Sequence, residues 1–250
     1  MVMTFEDVTR YERDGYLLVN KLFTREEVDR MIQEVEGGGR VAGSTYSNSD
    51  SQGLKAKLAL WFELGADMWS DVSSCPRVVN GVRILLGEDA AFFHGKVMLK
   101  EAHSGGAWEW HQDYGYWYDQ GFIYPNMISV FISLDAATRE NGCLQVLRGS
   151  HKLGRLEHGR VGQQTGADTN RIKQVEKMFE LVHCEMEPGS ALFFHSNLLH
   201  CSAPNLSERH RRSFIVCYNA TGNPQLQGDN LKHYTSCPVG TDDWLQKMYK

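Results

Sequence analysis

From residue 92 onward the chain breaks into short apolar runs separated by turn residues, and no other feature limits its possible folds as much. Runs of this length are too short for buried helices, and as strands they bury their apolar side chains only by pairing. The pattern predicts strands over 92–100, 107–113, 127–134, 143–147, 181–185, 191–195 and 213–218. Asn141-Gly142 and Pro188-Gly189 mark tight turns between them, with Gly142 free to take a positive φ. A chain of 250 residues, 42% of them hydrophobic, is long enough to bury one large core. We therefore expect a mainly β fold with flanking helices.

The first ninety residues read differently. Segments 4–14 and 24–36 predict helices; in the second, Thr24 and Glu27 stand at capping-box spacing, and Val28, Met31, Ile32 and Val35 form an apolar stripe. Gly37-Gly38-Gly39 stops that helix. The polar stretch 43–53 predicts a mobile loop able to act as a lid, and 54–68 and 71–86 predict further helices. Segment 155–177, polar and holding Gly159, Gly162 and Gly166, is either a surface crossover or a second lid. The expected organisation is one domain over 1–250, helical to about 90 and β from about 91 to 220.

Within the predicted strand 107–113, His111 and Asp113 stand two residues apart, so alternation places both on one face, where they can share a metal ion. A third ligand must come from elsewhere, and His200 is the best candidate. Two imidazoles and one carboxylate leave three coordination positions open, the donor set of non-haem Fe(II) oxygenases. Eleven residues beyond His200, Arg211 and Ser213 project from one face at the start of a predicted strand, where guanidinium and hydroxyl can hold a carboxylate together. A zinc hydrolase could use the same three ligands but would not need that anchor.

These residues, together with Glu140-Asn141-Gly142-Cys143-Leu144, Gly149-Ser150-His151 and Pro188-Gly189-Ser190, resemble the phytanoyl-CoA dioxygenase family over most of the chain, from Tyr11 to Asn219. The resemblance implies a double-stranded β-helix, a jelly-roll and cupin-like core, and an enzyme using Fe(II), 2-oxoglutarate and O2. It implies hydroxylation of a small metabolite with release of succinate and CO2. Desaturation, cyclisation and N-demethylation are alternatives with the same cofactors, and a β-helix that only binds a ligand is another; a halogenase would lack the carboxylate that Asp113 supplies. The resemblance further implies that His111, Asp113 and His200 hold iron, that Arg211 and Ser213 hold the distal carboxylate of 2-oxoglutarate, and that His94 and Met98, with Lys100 on the same strand face, approach cosubstrate or substrate. Trp117, six residues after His111, is implied to lie near substrate.

Tyr114 and Tyr116 flank that tryptophan and complete an expected aromatic wall, suited to a cationic or ring-bearing small molecule. Trp108 and Trp110 should face away from His111 into the core. His195 competes with His200 as a ligand, and His151 reads as structural. A formal charge of −5 disfavours nucleic acid as a partner. No apolar stretch is long enough for a membrane span, the first residues lack a signal-peptide layout, and six cysteines without C-x-x-C spacing fit reduced thiols, so we expect a cytoplasmic enzyme.

Overall fold

The computed structural model describes residues 3–226 and 231–247. Helix α1 (Phe5–Asp14) starts at a Thr4 capping box and ends at Gly15 in the left-handed region. Strand β1 (Tyr16–Val19) follows, then α2 (Arg25–Gly37), whose expected Thr24–Glu27 capping box is formed, and the short α3 (Gly39–Gly43). Next come β2 (Thr45–Ser49) and β3 (Lys55–Trp61), where a loop and a helix were expected. Ala and Leu in 54–61 favour helix by propensity, but the segment pairs along β4, with Leu58 and Leu60 on one face and Ala59 and Trp61 on the other. Pairing to a neighbouring strand overrides that propensity. The expected helix 71–86 is two, α4 (Met68–Ser74) and α5 (Pro76–Leu86). Cys75, preceding proline, is held extended and breaks them, and Pro76 takes the first helical position.

The β region holds β4 (Ala90–Lys100), β5 (Trp108–His111), α6 (Asp113–Asp119), β6 (Met127–Ser133), β7 (Leu144–Leu147), β8 (His158–Val161), β9 (Gln164–Ala167), α7 (Thr169–Val175), β10 (Leu181–Cys184), β11 (Ala191–His195), β12 (His200–Ser202) and β13 (Arg211–Ala220). Two sheets face each other. One runs β1-β11-β6-β13-β4-β3-β2 and the other β10-β7-β12-β5, all pairings antiparallel. The four strands β11, β6, β13 and β4 opposite β10, β7, β12 and β5 make the double-stranded β-helix. β1, β3 and β2, all from the first ninety residues, extend the larger sheet at both edges.

Strand alternation divides the core. Ile128, Val130 and Ile132 of β6, with Phe214, Val216 and Tyr218 of β13, pack toward Val28, Trp69, Val72 and Val78 of the helices. Phe131 of β6, Ile215 and Cys217 of β13 and Phe194 of β11 face inward with Leu144 and Val146 of the smaller sheet. A bulge in β4 breaks the alternation: Cys217 pairs with His94 and Tyr218 with Phe92, so Phe93 is the extra residue. Phe93 joins the inner cluster, and from His94 on the even-numbered residues Lys96, Met98 and Lys100 share one face.

Candidate active site

β5 and β12 pair so that His111 stands directly opposite His200, with ring centroids 4.0 Å apart. Each imidazole is turned by its own strand: Nδ1 of His111 donates to the Glu109 carbonyl at 2.7 Å and Nδ1 of His200 to the Leu198 carbonyl at 2.9 Å. That tether leaves both Nε2 lone pairs free on the same side. Asp113 does not lie on the strand with His111 as expected. β5 ends at His111, Gln112 stays extended, and Asp113 is the first residue of α6, where a carboxylate suits the helix N-terminus. The two side chains meet nonetheless. Asp113 Oδ1 lies 3.5 Å from Nε2 of His111 and 3.8 Å from Nε2 of His200. One donor atom from each residue falls within 4.8 Å of the others, all three residues being buried.

Asp113 Oδ2 accepts a hydrogen bond from Ser129 Oγ at 2.6 Å, whereas Oδ1 is buried with no partner. A buried carboxylate oxygen costs free energy unless something satisfies it, so this donor set fits a cation placed among the three groups. Burial opposes the charge on Asp113, but Lys96 and the two imidazoles outweigh it and hold the carboxyl well below the usual range. Burial also keeps His200 neutral, down to about 3. Both are in the protonation state that ligation requires.

The turn carrying the carboxylate is clamped by its middle residue. Gln112, fully buried, donates from its side chain to Asn197 O at 3.0 Å and Gly154 O at 3.3 Å and accepts from Leu156 N at 2.7 Å. Its backbone N–H donates to Nε2 of His158 at 3.0 Å. Segment 155–177, expected as a surface crossover or a second lid, forms the hairpin β8–β9 followed by α7 and lies against β5. Gln164 bridges Glu109 N and Ala107 O, and Tyr116 donates from its hydroxyl to Thr165 O at 2.7 Å. The expected mobile loop 43–53 contains β2, tied to the same hairpin by mutual hydrogen bonds between Ser49 and Gln163.

Two cavities meet at the cluster. The outer, about 260 Å³, is lined by Asp113, His94, Lys96, Trp108, Tyr116 and Trp117, with polar side chains of the two covering hairpins. The inner is drawn in to about 30 Å³ between Lys96, Met98, Phe131, His111 and His200. His94 and Met98 therefore reach the site, as does Tyr116. Tyr114 does not: its ring is buried in the inner core and its hydroxyl donates to the Ile123 and Phe122 carbonyls, because α6 carries it to the face opposite the cavity. Trp117 lines the cavity from within the core, 3% exposed, with its ring 5.5 Å from Phe93 and 5.8 Å from His94. Trp108 lines both cavities, contrary to the expected core position, its ring 6.2 Å from that of His111; Trp110 packs under α7.

Arg211 begins β13 opposite Lys100, with Nη1 3.3 Å from Ser213 Oγ, and its guanidinium lies 5.6 Å from the ring centroid of Phe131. Its Nε is buried and unpartnered, and burial lowers its pKa to about 10. Lys100 beside it is buried and depressed by the same desolvation and by Arg211. A buried guanidinium with an unpartnered Nε fits an incoming carboxylate. Arg212 turns to the other face and pairs with Asp135 and Glu36. His195 is remote from the cluster, its ring 5.4 Å from that of His151, and Nδ1 accepts from Asn197 N.

Sequence reasoning overlooked Lys96 and Ser129. The first stands midway between His94 and Met98, so alternation alone could have found it; Ser129 is one of two serines in a strand that is apolar elsewhere. Nothing in the sequence distinguishes His158.

Two imidazoles and a carboxylate converging within a double-stranded β-helix define a non-haem iron oxygenase of the 2-oxoglutarate-dependent class. The chain belongs to the phytanoyl-CoA dioxygenase family, whose family model matches residues 11–213. It is 28% identical over 234 residues to L-proline trans-4-hydroxylase of Streptomyces griseoviridis, covering 86% of this chain and 85% of that protein. It is 27% identical over 238 residues to ectoine dioxygenase of Stutzerimonas stutzeri (strain A1501), covering 87% and 77%. Its fold is similar to the crystal structure of EctD from S. alaskensis with 2-oxoglutarate and 5-hydroxyectoine, at a TM-score of 0.78 and 19% identity over 96% of this chain and 88% of that one.

Proposed function

We propose that His111, Asp113 and His200 hold one Fe(II), that Arg211 and Ser213 receive the distal carboxylate of 2-oxoglutarate, and that a small polar metabolite is hydroxylated in the outer cavity. The observation that carries this reading is the trio itself: two Nε2 lone pairs freed by Nδ1 tethers and a buried, unpartnered Asp113 oxygen. When bound, iron with 2-oxoglutarate and O2 supplies the oxidation: one oxygen atom enters a substrate C–H bond as hydroxyl, the other leaves in succinate, and CO2 is released.

The chain's own residues do the rest. Ser129 donates to Oδ2 and so directs Oδ1 of Asp113 at the metal position. Met98 and Phe131 close the inner cavity, and a five-carbon diacid enters only if they move apart, Met98 having the freer side chain. Trp108, Tyr116 and Trp117 shape the outer cavity around the reacting carbon, and the two hairpins tied by Ser49 and Gln163 supply part of its wall. A volume of about 260 Å³ suits a molecule of amino-acid size. The L-proline and ectoine named in the relatives are of that order. We read the chain as one oxygenase domain. Among the described residues no helix is long and apolar enough to cross a membrane, and all six cysteines are free, which supports a cytoplasmic setting.

The test is incubation with Fe(II), 2-oxoglutarate and O2 and a panel of small metabolites, reading succinate above the rate without substrate. An accelerating compound recovered with one added oxygen supports the reading. Undiminished turnover in Asp113→Ala removes it.

A further inference from the structure

Among the described residues and apart from Asp113, Lys96 is the one charged residue on the outer cavity wall, and it borders the inner cavity as well. Its strand neighbours in register are Leu60 on β3 and Ile215 on β13, so its ammonium stands over an apolar floor. Among the described residues no carboxylate lies within ion-pair distance of it and it makes no hydrogen bond; Asp113 feels its charge only from further off. A half-buried ammonium without an anion is costly in such a setting, and a ligand carboxylate would satisfy it. The remaining wall offers Trp108, Tyr116, Trp117 and Phe62, faces that accept an ammonium or an apolar ring, together with amides from Asn48, Gln120 and Gln163.

We propose that Lys96 binds the carboxylate of the substrate and so restricts this enzyme to small acids, with zwitterionic amino acids the best fit. This rests on the oxygenase reading above and amends the expectation from the aromatic run alone: a purely cationic molecule would meet Lys96 unfavourably, whereas a zwitterion places its carboxylate there and its ammonium on the rings. The first carboxylate of 2-oxoglutarate is the other possible anion at this position, and the test separates the two.

Wild-type enzyme with Fe(II) and 2-oxoglutarate is offered L-proline and other amino and imino acids, each beside its primary amide, with succinate as readout. In parallel, the visible charge-transfer band of the anaerobic Fe(II)·2-oxoglutarate complex reports cosubstrate binding without turnover. We expect acids to accelerate succinate formation and their amides not to. In Lys96→Gln, KM for the best acid should rise at least tenfold while the 2-oxoglutarate midpoint stays within threefold, and Lys96→Arg should recover most of the loss. An amide as active as its acid overturns the proposal, as does a panel in which no acid accelerates. A raised 2-oxoglutarate midpoint with unchanged KM for the acid also overturns it, assigning Lys96 to the cosubstrate. Absence of both the band and background succinate in the wild type would instead reject the oxygenase reading, and this proposal with it.

Discussion

Arg211 and Arg212 are adjacent in sequence and opposite in consequence. Arg211→Ala removes a buried donor beside Ser213, so KM for 2-oxoglutarate should rise at least tenfold with little change in melting temperature, since no protein carboxylate depends on it. Arg212→Ala breaks a two-point pair with Asp135 at 2.8 and 2.9 Å and should cost about 1 to 3 kcal/mol of stability while sparing that KM. The same effects in reverse would mean that β13 carries the other face toward the site. Trp117 lines the cavity as expected and is packed into the core as well. Treated as a free-standing wall residue, Trp117→Ala would leave stability untouched. Buried against Phe93 and His94, it should cost roughly 3 to 5 kcal/mol as well as coupling, and an unchanged melting temperature would return it to the wall.

At the scale of elements, the ligand turn depends on how closely α6 meets the β8–β9 hairpin. A Cβ added at Gly115 would fall 2.3 Å from the His158 ring, and that ring accepts the Gln112 N–H. Gly115→Ala should therefore push His158 off, loosen the turn between His111 and Asp113, and cost about 1 to 3 kcal/mol. Calorimetry and an iron titration read the two effects; unchanged iron affinity would show that the clamp does not govern the site. Elements were legible where one physical signal acted alone: Thr24 capped its helix as read, and β6, β11 and β13 announced themselves by length and apolarity. They were illegible where neighbours decided. Residues 55–61 carry helix-favouring Ala and Leu but lie between β2 and β4, and the hairpin β8–β9 is too polar to declare itself. The site was legible for a simpler reason: two histidines and an aspartate at fixed spacings survive the error about α6, because an extended Gln112 brings Asp113 back beside His111 even though the strand has ended.

For the molecule as a whole, buried neutral histidine sets the acid limit. His195 is lowered from its usual 6.5 to about 4 by burial, with the His151 ring adding to the effect. Between those values the unfolded chain binds a proton that the folded chain does not, so stability falls as pH drops from 6.5 toward 4, by up to about 1.4 kcal/mol per pH unit from this group. His195→Asn, which keeps an acceptor for the Asn197 N–H, should flatten the fall in melting temperature between pH 7 and 5; an unchanged slope would place the acid sensitivity elsewhere. The central claim is that β5, α6 and β12 meet to hold iron, and anaerobic titration of the apoprotein with Fe(II) tests it most directly. The account predicts one Fe(II) per chain, with affinity lowered at least a hundredfold in each of His111→Ala, Asp113→Ala and His200→Ala while circular dichroism shows the fold intact. Wild-type affinity in any of these folded variants would contradict it.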